Sequence, residues 1–422
     1  MASSRRRNVW IAILVTLAAG VVGGAGWWLY TGASTSERDL ARKEGIPTTY
    51  AEFPPRPPVP PAANAAPEYM AAIAAYAGVK SLPYAESQDQ DKLAKLDHEN
   101  FVANRVAVAL FLKGAAKPQC DFGLPIQSNF DPPVRIGSDI RHLLRLVTAE
   151  AVAEARTGRP LEGLKLASRL GNVGVHQLDR SDVVGVLDAE AFGQNVRGVV
   201  RRILEQHGRE AGVAEAATRT LDAIPQLHPN FERAVEVSNL WAIEMLSSPA
   251  VAEAGLSSGS GLDKFRIALH VPGMVARWRR RVWRNVRQEV AAIRADGGDW
   301  LKLDRDLRRV HESSCDGLDG MAVEYFGFDD SGLVDVSSHA VSTQRVLLQT
   351  AAVFREWRKT GKLPTALPLG GDAAIDPRTG GPFHYEVKGD TFEIRGAGPH
   401  GDPAAVRRFD AVRFNYPRLP NE

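Results

Sequence analysis

Residues 139–170, DIRHLLRLVTAEAVAEARTGRPLEGLKLASRL, decide the fold class. Ile140, Leu143, Leu144, Val147, Ala151 and Ala155 recur at steps of three and four, the repeat of one helix face, and Asp139 ahead of them is a capping residue type. Gly158 and Pro160 end this helix and start another, because proline suits a first helical turn; Leu161, Leu164, Ala167 and Leu170 form the second stripe. Two amphipathic helices joined by so short a turn bury their stripes by folding back on each other, so the stretch predicts an antiparallel helical hairpin.

The same period continues on both sides. Asp182 opens a long helix whose core face is Val183, Val184, Leu187, Ala191, Val199, Val200 and Leu204, and residues 210–224 give another before Pro225. Residues 68–246 are therefore predicted to be a helical domain, with Glu150 and Glu154 on its wet side. Within it, 151–170 resembles one unit of a tetratricopeptide-type repeat; no second copy follows at a fixed period, so the resemblance implies only that helices pair in hairpins. A Gly/Ser loop, 247–261, interrupts the pattern.

The second helical segment, 262–345, carries the most basic run. On a helix Met274, Trp278, Val282 and Val286 share one face, and arginines cover the rest. Arg277, Arg280, Arg281 and Arg284 form a candidate interaction surface for an anionic membrane or an acidic partner, against the alternative of a solvated face around a packed stripe.

At the N-terminus Arg5, Arg6 and Arg7 precede an uncharged run, 9–30, of 22 residues, long enough at about 1.5 Å per residue to span a bilayer core. Positive charge is retained inside, so residues 1–8 are expected to be a cytoplasmic tail, 9–30 an inner-membrane anchor, and the remaining chain extracytoplasmic. A cleaved signal peptide is the competing reading, disfavoured by the length of the run and its bulky Trp27-Trp28-Leu29-Tyr30 end. Six prolines in 53–61 make 31–67 an expected extended stalk.

A formal charge of +2 among 422 residues argues against nucleic acid as a partner. The membrane and an envelope protein are the expected partners. Cys120 and Cys315 are the only cysteines, and an oxidising compartment would permit a disulfide between them, with two buried thiols as the alternative. His311 and Cys315, one helical turn apart near Asp316 and Asp319, give at most a zinc half-site. Gly255-Leu256-Ser257-Ser258-Gly259 matches a hydrolase nucleophile pattern, but no strand precedes it to build the strained turn such a serine needs. Gly396 to Gly401 fits G-x-G-x-x-G without the following helix or acid, and reads as a turn. No cofactor is expected.

From Val346 the pattern becomes a helix, stopped at Gly361, and then two short strands, 383–387 and 391–394, around Lys388-Gly389-Asp390. Leu363-Pro364, Asp376-Pro377-Arg378-Thr379-Gly380-Gly381-Pro382-Phe383-His384-Tyr385, Gly389-Asp390 with Phe392, and Gly396 to Asp402 together resemble the C-terminal half of type II secretion pseudopilins, over about residues 346–403. The resemblance implies a small α+β module, 346–422, of a kind also carried by membrane-anchored bacterial proteins. The loop that often binds calcium in pseudopilins has His400 where an acid would stand, and no acid lies in 2–35 for a prepilin-peptidase motif. The expected whole is mainly α: an N-terminal transmembrane helix, extracytoplasmic helical hairpins, and a small C-terminal module with a β-hairpin. The expected role is a non-enzymatic envelope scaffold or binding protein, the alternative an envelope hydrolase with a site assembled from remote residues.

Overall fold

The computed structural model describes residues 36–54, 56–80, 90–123, 131–178, 183–224, 231–246, 274–315, 330–396 and 413–416. In chain order the helices are α1 (36–43), α2 (Ala66–Ala75), α3 (Gln90–Ala103), α4 (Arg105–Ala115), α5 (Asp131–Arg156), α6 (Pro160–Ser168) and α7 (Gly171–Leu178). They continue with α8 (Val183–His207), α9 (Val213–Asp222), α10 (Phe231–Met245), α11 (Met274–Ala295), α12 (Trp300–Cys315) and α13 (Asp330–Thr360). Strands β1 (His384–Lys388), β2 (Thr391–Arg395) and β3 (Arg413–Tyr416) form one antiparallel sheet in that order. The described residues fall into two compact units: one within Met1–Pro54, Val235–Ala295 and Asp306–Asp330, the other within Pro55–Ala234, Asp296–Arg305 and Ser331–Glu422.

The larger unit contains the predicted hairpin. The left-handed Gly158 turns the chain from α5 into α6, and Ile140, Leu143, Leu144, Val147, Ala151, Leu164 and Ala167 are buried as their period requires. Gly163 lets the two helices meet closely, since a Cβ there would stand 2.3 Å from the Ala151 carbonyl oxygen. α5 starts at Asp131, earlier than the cap predicted at Asp139, because Pro132 and Pro133 fall in a first turn where missing N–H groups cost nothing. α9 is shorter than the predicted 210–224, beginning after Gly212, which is left-handed.

α13 corrects two expectations. It begins at Asp330, not Val346, so the boundary drawn at 345/346 lies inside one 31-residue helix. Ser337, Ser338, Ser342 and Thr343 weaken the helical signal upstream, as hydroxyl side chains compete for backbone partners, yet Leu333, Val334 and Ala340 are buried there. The hairpin formed by β1 and β2 is present with Val387 opposite Phe392 and Tyr385 opposite Ile394; Phe392 and Ile394 point inward.

The stalk expected over 31–67 gives way at 36–43, in the smaller unit, to a helix, although 56–60, which belongs to the larger unit, has no regular element. Ala41, Ile46 and Phe53 are buried, an apolar set that an extended spacer would have exposed. On α11 the predicted stripe of Trp278, Val282 and Val286 is buried. No helix among the described residues is long and apolar enough to cross a membrane; the run 9–30 lies outside them.

A buried histidine ties α7 to α2 and sets a pH dependence. His176 accepts the Tyr69 hydroxyl at Nδ1 (2.7 Å), and its Nε2–H donates to the Lys117 carbonyl (3.0 Å). Burial pulls its imidazole down to about 4, partly opposed by that carbonyl. The unfolded ring titrates near 6.5, so between those values the unfolded state binds more protons. The stabilising effect of neutral His176 is complete above about pH 6.5 and is lost as pH falls toward about 4. From about pH 7.5 to about pH 5 the loss should reach about 2 kcal/mol in denaturant unfolding. His339, also held low by burial and by Arg378, adds a component of the same sign. His176→Gln should therefore flatten the slope without abolishing it; an unchanged slope would show the ring to be solvated.

Candidate functional site

α5 and α8 lie side by side and run in the same direction. Arg141 pairs with Asp188, and Arg156 and Arg202, about four turns further along each helix, both act on Asp97 of α3. Their apolar faces enter the core, Leu144 and Val147 from α5 and Val196, Val200 and Ile203 from α8. What the two helices do not fill is a groove of ≈ 450 Å³ on the other side of that contact.

Small residues make the groove. Ala149 on α5 and Ala191 and Gly198 on α8 line it, and a Cβ added to Gly198 would meet nothing within 4 Å. Polar groups surround this floor. Thr148 donates its hydroxyl to the Arg145 carbonyl (3.1 Å), while Asn195 donates Nδ2 to the Ala191 carbonyl (2.7 Å) and keeps its Oδ1 as an acceptor. Gln194 is exposed beside it, and Arg145 and Arg202 complete the lining from the two helices. Burial raises the Asp97 carboxyl above its ordinary value, against the pull of Arg156 and Arg202.

Two further polar clusters lie on α8 and α13. Arg197 and Glu190 form an ion pair at 3.1 Å with side-chain exposures of only 3% and 6%. On the α13 side, Ser342 donates to Asp376 Oδ1 (2.8 Å), the Arg378 amide donates to the same oxygen (3.0 Å), and Arg378 Nη2 reaches Asp335 (2.8 Å). Asp376 also explains Gly396: a Cβ there would sit 2.3 Å from Asp376 Oδ2, so the first glycine of the G-x-G-x-x-G string serves close approach. The rest of that string lies outside the described residues.

The residues singled out from the sequence are placed as follows. Glu150 is buried and bonded to His98 Nδ1 (3.0 Å), a correction to its expected place on the wet side; Glu154 pairs with Arg159. The turn brings Arg159 back over the helix end, which periodicity alone does not show. Arg281 donates to the Ser314 carbonyl (3.1 Å), and Arg284 pairs with Glu37 (3.1 Å). Arg287 bridges Glu37 and Glu44, holding the Glu44 carboxyl below its usual value, and Arg294 donates to the Glu44 carbonyl. Arg277 is exposed and Arg280 half-buried, so the four arginines of the candidate surface are not one open patch. Cys120 is buried, while the side chain of Cys315 lies outside the described residues, as do Ser257, Asp316 and Asp319. Among the described residues no group of three His, Cys, Asp or Glu could hold a metal ion.

Sequence reasoning missed Arg145 and Arg202. Each reads as an ordinary solvated charge on an amphipathic helix; only the parallel pairing of α5 with α8, across two intervening helices, brings them to one groove. No family model matches this chain, and no curated protein or solved structure matches it.

Proposed function

We propose that the chain is a membrane-anchored, extracytoplasmic scaffold or binding protein of the bacterial envelope, with the α5/α8 groove as its ligand-facing site. The observation that carries the binding role is the groove itself. Its lining offers cations, amides and small residues, groups that hold and orient a ligand. Charge asymmetry around 9–30 supports the topology, and the pseudopilin-like residues of the C-terminal module support the envelope setting.

The helix at 36–43 refines how the anchor would work. Its start lies six residues beyond Tyr30, and Glu37 and Glu44 are held by Arg284, Arg287 and Arg294. An anchor at 9–30 would thus hold a folded unit close to the bilayer instead of at the end of a long stalk. The topology is tested by fusing to Glu422 a reporter that is active only in the cytoplasm. The fusion should be silent while a periplasm-active reporter at the same position is active; strong cytoplasmic activity overturns the reading.

A further inference from the structure

The charges of α5 and α8 divide unevenly. On α8, Asp188 is paired with Arg141, Glu190 with Arg197, and Glu205 with Arg201. On α5, Glu150 has His98 and Glu154 has Arg159. Arg145 and Arg202 make no ion pair among the described residues, and both line the groove. Arg202 acts on Asp97 of α3, and so does Arg156. The groove is therefore cationic at two points because neighbouring acids are already engaged, and an anionic occupant would complete the pairing.

The spacing narrows the occupant. Arg141 lies against Asp188 and the helices are parallel, so Arg145 stands near the level of residue 192, about ten residues and about 15 Å along the axis from Arg202. A compact anion cannot bridge that distance. An extended peptide covers about 13 Å in four residues, and its side chains at i and i+4 point to one face. Between the arginines, the Asn195 Oδ1 acceptor and the exposed Gln194 amide match the N–H and C=O groups of such a backbone, while Ala149 and Gly198 leave room for it to approach.

We propose that the α5/α8 groove binds an extended acidic peptide segment, with Arg145 and Arg202 each holding one of two carboxylates four residues apart. The inference deepens the binding-protein reading but does not depend on the topology, which the reporter fusions measure separately.

The test uses the full chain in detergent micelles and a dye-labelled peptide, Gly-Glu-Ala-Ser-Ala-Glu-Gly, followed by fluorescence anisotropy. Saturable binding that weakens with added salt is expected, together with at least about tenfold weaker binding of the peptide carrying Gln at both Glu positions. Arg145→Gln and Arg202→Gln should each weaken the acidic peptide by about tenfold or more at an unchanged melting temperature. Lys165→Gln, on the exposed face of α6, should leave binding as it is. Equal affinities for the Glu and Gln peptides, equal binding by the wild type and the double arginine variant, or no saturation below about 1 mM would each overturn the proposal. So would polygalacturonate binding at Arg145 and Arg202 without any binding of the peptide.

Discussion

Arg197→Met is expected to destabilise the protein by about 3–5 kcal/mol, because it strands one buried charge. The guanidinium of Arg197 and the carboxylate of Glu190 are both almost fully excluded from water, and Arg197 lies back over Gly193, where an added Cβ would come within 3.1 Å of Nη1. Burial alone raises the Glu190 carboxyl and lowers Arg197; each is kept ionised by the other. Removing the cation leaves Glu190 to remain charged at a buried site or to take up a proton. The second course becomes cheaper as pH falls, so the penalty should be larger near pH 8 than near pH 5. Glu190→Met with Arg197→Met removes both charges and should recover most of the loss, since a buried pair replaced by apolar groups is often neutral. Urea unfolding at both pH values reads all three variants. A loss below about 1 kcal/mol for Arg197→Met would mean that water reaches Glu190 in solution.

The helical period made the 139–170 hairpin legible because there each helix buries a single stripe and a glycine-proline turn separates the two. The β-hairpin was legible for a similar reason: alternating side chains flank the Gly389-Asp390 turn. The start of α13 was not, because Ser337, Ser338, Ser342 and Thr343 dilute its apolar face while tertiary packing still buries it. α1 was hidden differently. It lies in the segment read as a stalk, and only the fold brings its Glu37, and Glu44 just beyond its end, to arginines some 240 residues away. The groove lay furthest from view: Arg145 and Arg202 matter because the acids around them are taken, and that depends on pairings such as Glu150 with His98 and Glu154 with Arg159, on different elements. A linear pass could place the charges on helices but could not pair them.

Phe354→Ala should cost about 3–5 kcal/mol and loosen the sheet from α13. Phe354 is fully buried and meets Phe392 of β2 and Tyr416 of β3 edge to face, with ring centroids 5.4 and 5.0 Å apart, while Trp357 stacks beside it at 6.2 Å. Truncation removes the ring against which both strands rest, and the near-UV circular dichroism of the tyrosines and tryptophans should fall with the stability. The other side of the ring gives a sharper test. Phe354 covers Gly208, just past the end of α8, where an added Cβ would lie 2.3 Å from the ring, so Gly208→Ala alone should cost about 1–3 kcal/mol by overpacking. With Phe354→Leu already present the side chain is smaller, and the same glycine substitution should cost less. The share owed to the Leu204 carbonyl oxygen, 2.6 Å from that position, persists in both backgrounds. The cycle should therefore show a coupling of about 0.5–3 kcal/mol that offsets the two single losses. Strict additivity would mean that the ring does not rest on Gly208, and that the sheet is held to the helices by other contacts.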